Sequence, residues 1–396
     1  MSTLRERRPT LRPTLRPTLR PTYAEIDLDR FEHNVDVIAR SLPERARLVA
    51  VLKADGYGHG AIELAKRLTA ERVAMIALAL LEEALALRGA GITLPMLVLG
   101  PLLREQIGIA LDNDITIGVI GPEELASVCA VARQRDVAIH LKLDSGMGRM
   151  GVIESELPDV IEMIRVTPKL RVEGIYTHFA NADDAGDPFT EVQIACYDRM
   201  LAILRESGID APLHHVANSA ATLRGLVRPG DFARVGIALY GPRRITAGAG
   251  TIEPVLRWRT EIARLKELPA GHAIGYGTTF RTARPSRIAT LPVGYADGYD
   301  RLLSNNADVL VRGRRAPVVG RVSMDLVTID VTEIDGAAVG DEAILIGAQG
   351  DDIITAEELA VKSQTIAYEV FCRISARVPR VYPQHNSDQI RSRLAG

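Results

Sequence analysis

From Tyr23 to about residue 240, short continuous apolar runs alternate with longer amphipathic stretches. The runs VAVLK (49–53), VAMIAL (73–78), MLVLG (96–100), ITIGVI (115–120), VAIHLKL (137–143), RVEGIYTHF (171–179), LHHVA (213–217) and RVGIAL (234–239) predict eight strands. Such runs suit strands buried on both faces of a parallel sheet. Residues 59–68, 122–134 and 189–206 carry helical spacing between them. At the front, Tyr-Ala-Glu-Ile-Asp-Leu alternates like a strand, and Asp29 followed by Glu32 reads as a capping box opening a helix. Eight strand–helix units in about 200 residues predict a (β/α)8 barrel. A doubly wound open sheet is the competitor. Against its dinucleotide-binding form, no G-x-G-x-x-G follows the first strand and no GG dipeptide occurs.

After Gly248-Ala249-Gly250 the pattern changes. Residues 252–350 are rich in Val, Ile and Thr, with turn signals such as Gly313 and Asp335-Gly336, which predicts a β domain. A helical TAEELA (355–360) and a last strand close the chain. The expected division is a tail over 1–22, a barrel over 23–245 and a mostly-β domain over 246–396.

Composition fits this plan. The chain has 396 residues, room for one barrel and an addition, with 47% hydrophobic and 25% charged residues, the balance of a soluble globular protein. No run of 18 apolar residues occurs, so no membrane span is expected. The 48 basic and 50 acidic side chains hide an asymmetry: residues 1–22 hold six Arg and one Glu, leaving 42 basic and 49 acidic groups in the rest. An acidic body is a poor general binder of nucleic acid. The tail repeats PTLR from Pro9 to Arg20, and proline at every fourth residue forbids a stable helix, so an extended, disordered tail is expected. It lacks the apolar core of a secretory signal and the amphipathic helix of an organelle presequence, which fits a cytoplasmic protein. Cys129, Cys196 and Cys372 form no C-x-x-C pair and read as three packed thiols of a reducing compartment.

Candidate chemistry starts at Lys53, which ends an apolar strand and precedes Ala-Asp-Gly-Tyr-Gly-His-Gly. A lysine at the apolar rim of a barrel has its charged form disfavoured, which makes the amine nucleophilic and suits Schiff-base chemistry. Standing alone, it would equally read as a lysine snorkelling from a strand end. A metal centre is not expected: His214 and His215 are adjacent and point to opposite faces of a strand.

The segment VLKADGYGHG (51–60) resembles the cofactor-lysine motif of the alanine racemases, pyridoxal phosphate enzymes built on a (β/α)8 barrel. The likeness runs in order through KLDSGMGRMG (142–151), THFANAD (177–183), HVANSAA (215–221), RVGIALYG (234–241), IGYGTTF (274–280), LPVGYADG (291–298), GRVSMD (320–325) and YEVFCRISARVPRVY (368–382). The resemblance implies a homodimer with shared active sites. Lys53 would hold pyridoxal 5'-phosphate and act as one base, and Tyr276 of the neighbouring subunit would be the second. A free phenol titrates at about 10, so a tyrosine base needs tuning, and the resemblance gives that part to His178 and Arg234. Arg234 would face the pyridine nitrogen. Tyr57, Asn218, Ser219, Tyr368 and the Gly236-Ile237 backbone would hold the phosphate, where a helix N-terminus at Ser219 suits an anion. Arg149 would fork the substrate carboxylate, helped by the backbone of Met324 reaching in from the partner subunit, and Lys142 matches a lysine that is often carbamylated. Tyr295 and Tyr368 would narrow the entrance to suit a methyl side chain. Two positions depart from the pattern. Gly56 replaces the usual alanine and is expected to loosen the backbone beside Tyr57. Gly275 replaces a common serine and removes a possible hydroxyl contact.

The expected activity is interconversion of L- and D-alanine, supplying D-alanine for peptidoglycan. The alternatives are a broad-specificity, serine or lysine racemase, a basic amino acid decarboxylase, or a pyridoxal phosphate carrier. The decarboxylase would need a glycine-rich GGG loop and the carrier would lack the β domain.

Overall fold

The computed structural model describes residues 19–383. The described chain divides into two compact units that interleave along the sequence: Ile26–Arg257 with Ile354–Ser375 and residues 382–383, and residues 19–25 with Trp258–Ile353 and Ala376–Val381.

Strand β1 (Tyr23–Ile26) leads into a helix over Leu28–Ser41. The cap is Asp27, not the expected Asp29. Asp27 is the last extended residue, and its carboxylate accepts the Arg30 N–H at 2.9 Å. Glu32 instead pairs with Arg67 at 2.8 Å and Arg72 at 2.9 Å. The barrel strands follow: β2 (Arg47–Val51), β3 (Met75–Leu78), β4 (Met96–Val98), β5 (Ile115–Val119), β6 (Val137–Lys142), β7 (Leu170–Tyr176), β8 (Leu213–His215) and β9 (Phe232–Val235). They lie in the order β8-β7-β6-β5-β4-β3-β2-β9, and each hydrogen-bonded neighbour is parallel. The two ends nearly close, with Arg234 N donating to Ala217 O at 2.9 Å. This is the expected barrel, and the open sheet is set aside. β3 and β4 are buried along their whole length, as both-face burial requires.

Two local features aim side chains. The eighth strand stops at Val235, four residues earlier than expected, because the chain turns at Gly236 (φ −114°, ψ −92°) and Ile237–Tyr240 become helical. The register of β6 on β7 shifts between Ile139 and His140. Opposite, a Cβ on Gly174 would come within 2.6 Å of the His140 ring, so the glycine makes room for that ring inside the barrel.

The second unit is strand-rich. Leu256–Glu261 lies between β1 and Glu342–Gln349, and Arg380–Val381 pairs in parallel with β1. A three-stranded sheet is formed by Arg264–Leu268, Ser286–Leu291 and Val327–Asp330. Of the PTLR tail, residues 1–18 lie outside the described residues. Its end is not free as expected: Thr22 is fully buried, with Oγ1 at 2.8 Å from Thr260 Oγ1 and donating to Pro292 O at 2.7 Å. The three thiols are unpaired. Only Cys129 is buried, and Cys372 is exposed rather than packed. Among the described residues no helix is long and apolar enough to cross a membrane.

Candidate active site

Lys53 opens a turn in which Ala54, Asp55, Gly56 and Tyr57 all take left-handed backbone, with φ between 52° and 61°. Such a conformation costs a non-glycine residue about 1–2 kcal/mol, so the turn is held from outside. Glu83 Oε1 accepts Ala54 N at 2.7 Å while its Oε2 accepts Ala79 N at 2.9 Å. Asp55 accepts Ala61 N at 2.8 Å. The expectation at Gly56 is therefore corrected: in a left-handed position glycine removes strain, and a Cβ there would sit 2.6 Å from Leu64 Cδ1.

Lys53 lines a cavity of about 310 Å³ in the barrel unit. With it stand Tyr57, Lys142, Arg149, His178, Asn218, Ser219, Arg234, Gly236, Ile237 and Tyr368, all expected from sequence. Burial lowers the pKa of Lys53, and the Arg149 charge lowers it further. Lys142 is pushed down to about 8, again by burial first and Arg149 second. Both amines are thereby biased toward their nucleophilic neutral form.

At one side of the cavity Asn218 caps a short helix, accepting Ala221 N at 3.0 Å. Ser219 Oγ accepts Gly236 N at 3.0 Å. A side chain on Gly236 would run into the Tyr57 hydroxyl, so the backbone, the phenol and the serine converge only because residue 236 is glycine. Hydroxyls and amides meeting at a helix start make an anion cradle.

Arg234 is buried and forms another wall. Its guanidinium donates to His215 O and to Thr177 O, the latter at 2.5 Å. Nη1 lies 2.9 Å from His215 Nδ1, and Nη2 lies 3.2 Å from His178 Nδ1. An arginine can only donate, so both imidazole nitrogens must accept. His215 Nε2 then carries the proton and donates to His140 Nδ1 at 2.8 Å. Tyr176 stacks on His215 with centroids 4.7 Å apart and lies under the guanidinium. Burial, then Arg234, pushes His178 down to about 3 and His140 to about 4. His215 is lowered by the same causes.

These neutral histidines give a pH dependence. Their folded pKa values lie below the ordinary value of about 6.5, so below that pH the unfolded chain takes up protons the folded chain refuses. Stability should be full above about 6.5 and fall as pH drops toward 4. Replacing His140 with Asn, whose amide oxygen can still accept from His215, should make this slope shallower by up to one proton, about 1.4 kcal/mol per pH unit. Denaturant unfolding between pH 6.5 and 4.5 measures it, and an unchanged slope would mean His140 already carries a second proton in the fold.

The strand-rich unit holds the remaining expected residues. Tyr276 is 73% exposed, Tyr295 43% and Met324 53%. Tyr276 begins a tight turn behind Gly275, whose φ of 70° and ψ of −174° form a glycine-only backbone. Gly275 is thus explained by the turn and not by a missing hydroxyl. Sequence reasoning did not single out Glu83, Tyr176, His215 or His140 as parts of the site. For His140 a signal existed: it lies two residues before Lys142, on the same face of its strand.

A half-buried lysine with a lowered pKa, an anion cradle and a buried guanidinium around one barrel cavity define a pyridoxal phosphate enzyme. Two family models match the chain, alanine racemase N-terminal domain over residues 26–244 and alanine racemase C-terminal domain over residues 255–382. An alanine racemase of Halothermothrix orenii is 44% identical over 91% of this chain and 96% of its own length. The structure of alanine racemase from Bacillus anthracis with bound L-Ala-P is 38% identical, with a TM-score of 0.86 over 93% of this chain and 96% of that one. The alanine racemase of Bartonella henselae with covalently bound pyridoxal phosphate is 26% identical, with a TM-score of 0.82 over 92% and 99%. The chain belongs to the alanine racemase family.

Proposed function

We propose that this chain is an alanine racemase that interconverts L- and D-alanine with pyridoxal 5'-phosphate and supplies D-alanine for peptidoglycan in the cytoplasm. The observation that carries the reading is the convergence of Lys53, Arg149, Ser219 and Arg234 on one cavity in a chain of this family. The residues present fit the cofactor. Lys53 would bind its aldehyde, Asn218, Ser219, Tyr57, Tyr368 and the Gly236-Ile237 backbone its phosphate, and Arg234 its ring nitrogen. When bound, it supplies an electron sink for a carbanion at Cα.

The chain's own groups do the rest. Arg149 holds the substrate carboxylate through a charge-assisted fork, helped by the backbone of Met324 of the partner subunit. Arg234 can only donate and is engaged by His215 and His178, so it would face the ring nitrogen as a hydrogen-bond donor and leave that nitrogen unprotonated. One base takes the Cα proton and another returns a proton to the opposite face; Lys53 Nζ and the Tyr276 hydroxyl fill those roles. Tyr276, Tyr295 and Met324 are exposed on the strand-rich unit, as side chains covered by a second subunit would be. The enzyme is then a homodimer in which each subunit completes its neighbour's site. Lys142, lowered to about 8 beside Arg149, is placed to react with carbon dioxide as a neutral amine, and a carbamate there would orient the arginine.

Incubation of the holoenzyme with a panel of L-amino acids in D₂O tests the function. Alanine should exchange its Cα proton and racemise faster than serine or lysine. Faster turnover of serine or lysine would overturn the substrate, and no exchange with any amino acid would overturn the reaction.

A further inference from the structure

We infer that the end of the PTLR tail, through Arg20 and Thr22, positions the two turns that carry Tyr295 and Met324. The inference rests on the alanine racemase reading, in which those turns serve the active site. Arg20 Nη2 lies 2.7 Å from Oδ1 of Asp297, whose side chain is fully buried. The other carboxylate oxygen accepts Gly294 N at 3.0 Å and so closes the turn Tyr295–Asp297. That turn is laced to its neighbour: Tyr295 N donates to Ser323 O and Ala296 N to Met324 O, both at 3.0 Å. Gly294 packs so tightly that a Cβ would strike the carbonyls of Ser323 and Met324. Arg377 joins them from the other end of the described chain, 3.6 Å from Asp297 Oδ1 and 2.7 Å from Asp325 Oδ1.

A buried carboxylate is tolerated only with charged or hydrogen-bonding partners. Two of the partners here are guanidiniums, and the closer one belongs to the tail. Thr22 pins the path of the tail by donating to the Pro292 carbonyl, two residues before Gly294. Pro21 between them restricts the backbone, which fixes the spacing of Arg20 and Thr22. Residues 20–22 are therefore part of the frame behind Tyr295, and Arg20 is a positioning residue.

The test uses the full-length holoenzyme. Arg20→Ala should raise KM for alanine about five- to tenfold, since small misplacements of substrate-facing groups are amplified in catalysis, with kcat and cofactor absorbance little changed. Hydrogen–deuterium exchange at the amides of Tyr295 and Ala296 should rise in the same variant. Arg20→Lys should restore most of both, and deleting residues 1–18 should leave both as in the wild type. In an Asp297→Asn background, where no buried charge needs a partner, Arg20→Ala should add nothing further. Unchanged KM and unchanged exchange in Arg20→Ala would overturn the inference. Faster amide exchange in a protein whose wild type does not racemise alanine would leave the positioning role standing and overturn the function.

Discussion

Lys53→Ala should abolish racemisation and remove the visible absorbance of bound pyridoxal phosphate from the purified protein. Two amines in the cavity are lowered, and Lys53 is the one that the proposed reading gives to the cofactor's aldehyde, while Lys142 is given the carbamate. Burial and the Arg149 charge both disfavour the protonated form of Lys53, which leaves more of the nucleophilic base at neutral pH. The left-handed turn fixes where that amine stands, because Glu83 and Asp55 clamp its backbone on both sides. On the proposed two-base reading, removal takes away the covalent anchor and one base, and a general base alone is worth about 10²- to 10⁴-fold. The loss in kcat/KM should therefore exceed about 10⁴-fold. The fold should persist, since alanine leaves the turn's backbone bonds intact. A variant that stayed yellow would show that another amine holds the cofactor.

Tyr276→Phe should cut racemisation by about 10²- to 10⁴-fold while leaving cofactor binding as it was. With a single remaining base, only one face of Cα can be deprotonated. In D₂O one enantiomer of alanine should then exchange its Cα proton without inversion, and the other should be inert. Structural side effects should be small, because the ring is 73% exposed and neither flanking glycine depends on its hydroxyl. Wild-type exchange of both enantiomers in this variant would remove Tyr276 from the reaction.

Much of this was legible in the amino-acid sequence. Strands buried on both faces are mostly apolar, so each barrel strand overlapped a visible run, although β2, β7 and β9 begin one or two residues before it. The cavity residues were legible through motifs, since Lys53, Arg149, Ser219 and Arg234 sit on elements whose order the barrel fixes. What escaped depends on long-range contacts. Asp27 and Asp29 are both plausible caps, and only the extended backbone at Asp27 decides between them. RVGIAL reads as one strand, yet Gly236 turns it to meet Ser219. His140 gained its role from a register shift whose sequence mark was Gly174, a glycine inside a strand. The tail looked uniform because each PTLR copy is alike, and nothing in the repeat marks Arg20 as the neighbour of the buried Asp297 carboxylate. β1 pairs with Arg380–Val381 from the far end of the sequence, so the strand-rich unit could not be read as one continuous segment.

A hybrid dimer tests the shared two-base site most directly. Lys53→Ala and Tyr276→Phe chains carrying different affinity tags are coexpressed, and dimers bearing both tags are isolated. If Lys53 and Tyr276 of one site come from different subunits, each hybrid holds one doubly substituted site and one intact site. The purified hybrid should then recover about half the activity of the wild-type dimer, while each parent homodimer stays nearly inactive. A hybrid no more active than its parents would place both bases in one subunit and contradict the account.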